Sequence, residues 1–137
     1  TYGNGRFVAV GDYGAILASR DGLNWLAMQS GRWTNLRSVT YGNSLFVAVG
    51  LGGTILTSRD GVSWIWRESG TGTDLFGVTY GNDRFVAVGS GGTILTSLDG
   101  ENWIEQQSGI WPDLYGATHG NGRFVAVGEW STILTSP

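Results

Sequence analysis

Acid–base or electrostatic chemistry in this chain would have to start from one histidine, eleven carboxylates or eight basic residues, all of them arginine. His119 stands in "THGN", in the slot that Tyr2, Tyr41 and Tyr80 fill in "TYGN". A ring replacing a ring reads as packing, and no nucleophile elbow accompanies it to make a Ser-His-Asp set. Lysine is absent, which removes Schiff-base and P-loop chemistry. Cysteine is absent too, which removes disulfides, zinc–thiolate sites and thiol catalysis. A metal site needs clustered His or carboxylate ligands, whereas Asp21, Asp60 and Asp99 are spread one per turn. No catalytic residue, metal or cofactor is expected. A net charge of −3 and pI near 4.9 make nucleic acid an unexpected partner. Membrane insertion is equally unexpected, because no apolar run approaches the roughly 20 residues that a spanning helix needs.

The elements that position these groups come from a repeat. "TYGN" at Thr40 and at Thr79 sets a period of 39 residues, with Thr1 and Thr118 in the same frame. Between Leu36–Asp74 and Leu75–Asp113, 25 of 39 residues are identical, so the chain is a stack of like units that bury their faces against one another. Each unit holds four short extended segments, as in Leu36–Tyr41, Phe46–Gly50, Thr54–Ser58 and Ser63–Glu68. Asn4-Gly5, Asn43-Ser44, Asn82-Asp83 and Asn121-Gly122 join the first two segments, and Asp21-Gly22, Asp60-Gly61 and Asp99-Gly100 join the last two. Such dipeptides supply the positive φ angles of tight hairpins. No helical periodicity is evident. "FVAVG" and "TILTS" are apolar or small on both faces, which predicts strands covered on both sides, and the fourth segment is polar enough for an outer edge.

The expected fold is all-β: β-propeller blades of four antiparallel strands, about three and a half of them, over residues 1–35, 36–74, 75–113 and an incomplete 114–137. A β-solenoid is the alternative, although its coils are shorter and its strands parallel. Four to eight blades are typical of a closed propeller, so a larger chain or association of copies is expected to complete this one.

The turn Ser-x-Asp-Gly-x-x-Trp occurs at Ser19, Asp21, Gly22 and Trp25, at Ser58, Asp60, Gly61 and Trp64, and at Ser97, Asp99, Gly100 and Trp103. It resembles the Asp-box (BNR-like) repeat of sialidase-like and photosystem II assembly factor-like propellers, with one residue fewer between Asp and Gly. The likeness therefore points to the broad superfamily and to no particular branch. It implies that the Asp caps the turn and the Trp packs into the blade, both structural roles. It also brings in sialidase-like hydrolysis, which relies on an arginine cluster converging from different blades. Here Arg6, Arg84, Arg123, Arg20 and Arg59 recur as structural positions, while Arg32, Arg37 and Arg67 gather around one blade. An enzyme is not expected. The resemblance favours a secreted or cell-surface location.

Because strand direction alternates, the two recurring hairpins share one face and the divergent loops share the other. The divergent positions are Asp12, Tyr13, Arg32, Trp33, Trp111, Glu129 and Trp130, with Arg37 and Tyr115 at the starts of inner strands. Flat rings beside Arg and carboxylates are what a glycan- or protein-binding surface uses. For each ring taken singly, the competing reading is that it tucks under its own loop. The expected function is a non-catalytic binding module whose loop face meets a glycan or protein surface. The alternative is a self-assembly module that forms a homo-oligomer by closing a ring or particle.

Overall fold

The computed structural model describes all 137 residues, Thr1–Pro137. The first sheet is β1 (Tyr2–Gly3), β2 (Arg6–Val10), β3 (Ile16–Ser19) and β4 (Leu26–Met28). The second is β5 (Leu36–Gly42), β6 (Leu45–Gly50), β7 (Ile55–Ser58) and β8 (Ile65–Arg67), and the third is β9 (Leu75–Gly81), β10 (Arg84–Gly89), β11 (Ile94–Ser97) and β12 (Ile104–Gln106). The fourth has three strands, β13 (Leu114–Gly120), β14 (Arg123–Gly128) and β15 (Ile133–Thr135). Every sheet is an antiparallel meander, so these are propeller blades and the solenoid alternative falls away. The inner hairpins turn on left-handed pairs such as Asn43 (φ 47°) and Ser44 (φ 57°), the backbone that matches the twist of the strands they join.

Three details differ from the sequence reading. The fourth strands are only three residues long, because the Ser63 N–H is drawn into the turn by Asp60 Oδ1 at 2.9 Å. Each second-to-third connection contains a three-residue 3-10 turn, closed in the second blade by Thr54 N–H donating to Leu51 O at 3.3 Å. Coverage on both sides holds for the two middle blades, whereas the outward faces of the first and last carry half-exposed Phe7 and Val127.

Three apolar seams hold the blades together. Phe46 and Leu56 pack with Val8 and Ile16, Phe85 and Leu95 with Val47 and Ile55, and Leu114 and Ala126 with Val86 and Val88. Full burial of one such phenylalanine contributes about 2–3 kcal/mol. Each seam also has a plug and a socket. A Cβ built on Gly3 would land inside the ring of Tyr41; Gly42 stands in the same relation to Tyr80, and Gly81 to His119. His119 thus does the work of a packing ring, 4.8 Å from Phe124, as Tyr80 lies 4.7 Å from Phe85.

The Ser-x-Asp-Gly-x-x-Trp turn closes on itself. In the third blade, Asp99 Oδ1 accepts from the backbone N–H groups of Asn102 and Glu101, each at 2.8 Å, and from Ser97 Oγ at 3.0 Å, while Ser97 Oγ accepts from Gly100 N–H at 2.8 Å. Trp64 and Trp103 lie 6.4 Å from Phe46 and Phe85. These donors hold Asp99 below the usual carboxylate range, led by the backbone N–H of Asn102. Asp21 is lowered chiefly by Asn24, and Asp60 chiefly by Ser63.

A depressed folded-state value means stability fully present above the unfolded carboxylate pKa of about 4 and lost as pH falls below it. Urea midpoints are therefore expected to be flat from pH 7 to 5 and to fall below about pH 4. Asp99→Asn should flatten part of that fall; an unchanged acid limb would deny Asp99 its role.

Candidate binding face

The divergent loops lie together. Gly14, in the 3-10 turn Asp12–Gly14, is so close to the next connection that a Cβ would collide with Arg32 O and Ser30 Oγ. Gly53 and Gly92 repeat this against Thr71 and Ile110. On the other face, Asn4 Nδ2 donates to Arg59 O at 3.1 Å, bringing an inner hairpin against the next blade's Ser-x-Asp turn. Variable and recurring loops are thus segregated to opposite faces.

The second residue of every 3-10 turn is left-handed: Tyr13 (φ 57°), Gly52 (φ 62°), Gly91 (φ 62°) and Trp130 (φ 51°). The middle blades fill this position with glycine, the residue that adopts it without steric cost. The outer two carry bulky aromatic rings there, which is a genuine backbone outlier. The turn is braced across the seam, since Tyr13 N–H donates to Asn35 Oδ1 at 2.9 Å. Gly52 N–H and Gly91 N–H do the same to Asp74 Oδ1 and Asp113 Oδ1, each at 2.8 Å.

Trp33 and Trp111 occupy equivalent places in the connections after the first and third blades, and each keeps 87% of its surface in solvent. Their counterpart after the second blade is Gly72, and nothing lies within 4 Å of a Cβ built on Gly52, Gly72 or Gly91. The middle of the face is therefore open backbone. Exposed Tyr13 and Trp33 stand on one side of it, with Trp111 and Trp130 on the other.

A β-bulge places the remaining candidates. Leu36 pairs with Gly50 and Ser38 with Val49, which leaves Arg37 as the extra residue; Phe76 and Tyr115 are bulged in the same way. Bulges re-aim side chains, and these three engage the loop face. Arg37 Nη1 reaches Asp12 Oδ1 at 3.2 Å across the first seam. Tyr115 OH donates to Glu129 Oε1 at 2.9 Å, and that bond pushes its hydroxyl pKa up. Phe76 packs on Tyr115 with ring centroids 5.5 Å apart.

Of the nine residues expected to bind, two pairs are thus in contact, Asp12 with Arg37 and Tyr115 with Glu129. Arg32 departs from the group: its guanidinium sits 4.8 Å over the ring of Trp66 on the outer strand. Arg67 pairs with Glu101 of the next blade at 3.0 Å. Sequence reasoning overlooked Trp66, Phe76 and the bracing set Asn35, Asp74 and Asp113. The last of these had a visible signal, an Asn or Asp closing each connection.

Solved structures share this architecture. The crystal structure of the computationally designed Ika4 protein superposes with a TM-score of 0.77 at 12% identity, over 98% of this chain and 86% of that one. A structure of YCF48 bound to D1 peptide gives 0.75 at 18% identity, over 98% and 47% of the two chains. YCF48 from Cyanidioschyzon merolae gives 0.74 at 18% identity, over 97% and 49%. The chain spans about half the length of these YCF48 chains. At such identities the likeness establishes a propeller fold. No protein-family model matches the chain, and no curated protein matches it in sequence.

Proposed function

We propose that this chain is a non-catalytic propeller binding module whose variable-loop face takes an extended protein segment. The observation that carries the reading is the pair of aromatic residues, Tyr13 and Trp130, held in left-handed backbone where the sister blades use glycine. Backbone strain of this kind costs of order 1–3 kcal/mol and persists where the side chain is needed for something other than folding. Here the rings stand in solvent, so packing does not account for them. The open glycine backbone between the two aromatic sides leaves room for an extended polypeptide, and the rings give contact area at low entropic cost. One structural neighbour, YCF48, is bound to a peptide. A glycan is the second reading, favoured by the flat and fully presented faces of Trp33 and Trp111.

The test is binding of the labelled chain to peptide and glycan arrays, followed by titration of the hits. Trp33→Ala and Trp111→Ala together are expected to weaken the retained ligand at least about tenfold. Tyr13→Gly should weaken it as well while leaving the fold at least as stable, because the glycine relieves the strained backbone. Binding indifferent to all three substitutions would sink the proposal. Hits confined to glycans would replace the protein reading with the second one.

A further inference from the structure

The first blade presents, unmated, the same side chains that the middle blades bury, and so does the fourth. Tyr41, Tyr80 and His119 are rings seated over Gly3, Gly42 and Gly81, and all three glycines are buried. At the two ends this arrangement is split. Tyr2 is a ring with no glycine beneath it and is 58% exposed, while Gly120 is exposed with nothing within 4 Å of its Cβ position.

The rest of the two faces is split in the same way. Phe46 and Phe85 are 0% exposed because the preceding blade covers them, whereas Phe7, at the same place in the first blade, is 37% exposed. Leu56 and Leu95 are buried while Leu17 is exposed. On the opposite side, Val49 and Val88 are buried by the following blade, while Val127 and Ile133 of the fourth are exposed. The turn glycines agree. A Cβ on Gly61 would lie nearest Arg6 and Val8 of the preceding blade, and one on Gly100 nearest Leu45 and Val47 together with its own Phe85, whereas on Gly22 the nearest atoms are those of its own Phe7. The residues of the fourth blade at the positions of Arg6 and Val8 are Arg123 and Val125.

We infer that the outward face of the fourth blade docks the outward face of the first blade of a second copy of this chain, with Tyr2 of one copy seated over Gly120 of the other. The contact is continuous with an interface that the chain already builds three times with the same residue types. Phe7 and Leu17 cover Val125 and Ile133 as Phe46 and Leu56 cover Val8 and Ile16, Gly22 rests on Arg123 and Val125, and Asn121 donates to Arg20 O as Asn4 does to Arg59 O. The join is heterologous, so two copies joined at both ends close a ring, and eight blades lie within the range in which propellers close.

Light scattering and sedimentation velocity on the 137-residue chain test this over about 1 µM to 1 mM, where an interface of modest size dissociates and re-forms. The mass is expected to climb from 14.6 kDa to twice that value. Gly120→Leu fills the socket and Tyr2→Arg removes the plug; each should hold the mass at 14.6 kDa with an unchanged circular dichroism spectrum. Ile133→Arg is a second block on the fourth-blade side. An equimolar mixture of Gly120→Leu and Tyr2→Arg chains retains one intact face of each kind, so it should associate where neither variant does alone. Trp33→Ala, on the loop face, should leave the mass unchanged. A wild-type chain that stays at 14.6 kDa throughout overturns the inference, as does association that survives both Gly120→Leu and Tyr2→Arg.

Discussion

Gly42→Val is expected to lower the unfolding free energy by at least about 3 kcal/mol, whereas Gly120→Val, at the same place in the fourth blade, changes it by less than about 0.5 kcal/mol. Both glycines end an inner strand, and neither has the left-handed φ that would penalise a side chain. The difference is the neighbour. A Cβ on Gly42 falls inside the ring of Tyr80, which is also packed at a tilt 4.7 Å from Phe85, so ring and glycine cannot both keep their places. Valine there forces the second and third blades apart along their inner strands. On Gly120 the same side chain meets open space, and valine suits a strand. Urea denaturation at dilutions where the chain runs as one copy measures both. Equal losses at the two positions would show that intrinsic strand preference, rather than the plug and socket, governs these glycines.

Phe85→Ala is expected to cost about 3–5 kcal/mol, against about 1–2 kcal/mol for Phe7→Ala. The two residues occupy the same repeat position and make like aromatic contacts. Phe85 lies 4.7 Å from Tyr80 and 6.4 Å from Trp103; Phe7 lies 4.7 Å from Tyr2 and 6.5 Å from Trp25. Phe85, however, is enclosed by Leu45, Val47 and Ile55 of the preceding blade, and truncation leaves a cavity that its neighbours on the two sheets cannot fill. Phe7 has solvent on that side, so water fills the space at little cost. The ratio of the two losses reports how far stability resides in the seams, as the nearest-neighbour behaviour of repeat proteins requires. Similar losses at both sites would place the stability within single blades and overturn that view.

Much of this molecule could be read from its sequence because the deciding interactions are short. Asn-led pairs such as Asn4-Gly5 and Asn43-Ser44 fix the inner hairpins through the φ angles of two residues, whereas in the Asp-Gly turns only the glycine is left-handed. The Ser-x-Asp turn is closed by bonds spanning two or three positions, as from Asp99 to Glu101 and Asn102. The 39-residue period and the two-sided strands then leave stacked antiparallel blades as the arrangement that buries them. The segregation of variable loops onto one face follows from strand alternation alone, and Gly14 against Arg32 bears it out.

What only the tertiary structure decided lies across the seams. Nothing local to Arg37 or Tyr115 marks them as bulged, since a bulge is defined by the partner strand, and the opposing residues are thirteen or so positions away. The loop that carries Arg32 places it with the binding residues, yet the ring that holds it, Trp66, belongs to the next blade's outer strand. That Tyr13 and Trp130 sit in left-handed backbone became visible only in the folded turns, the first of which is braced from the following connection by Asn35. Sequence by itself determined the repeat, the turns and which loops share a face, because those depend on backbone preferences within a few residues. Which glycine receives which ring, and which aromatics are left standing in water, depends on how one sheet lies on the next, and that geometry exists only after the blades have packed.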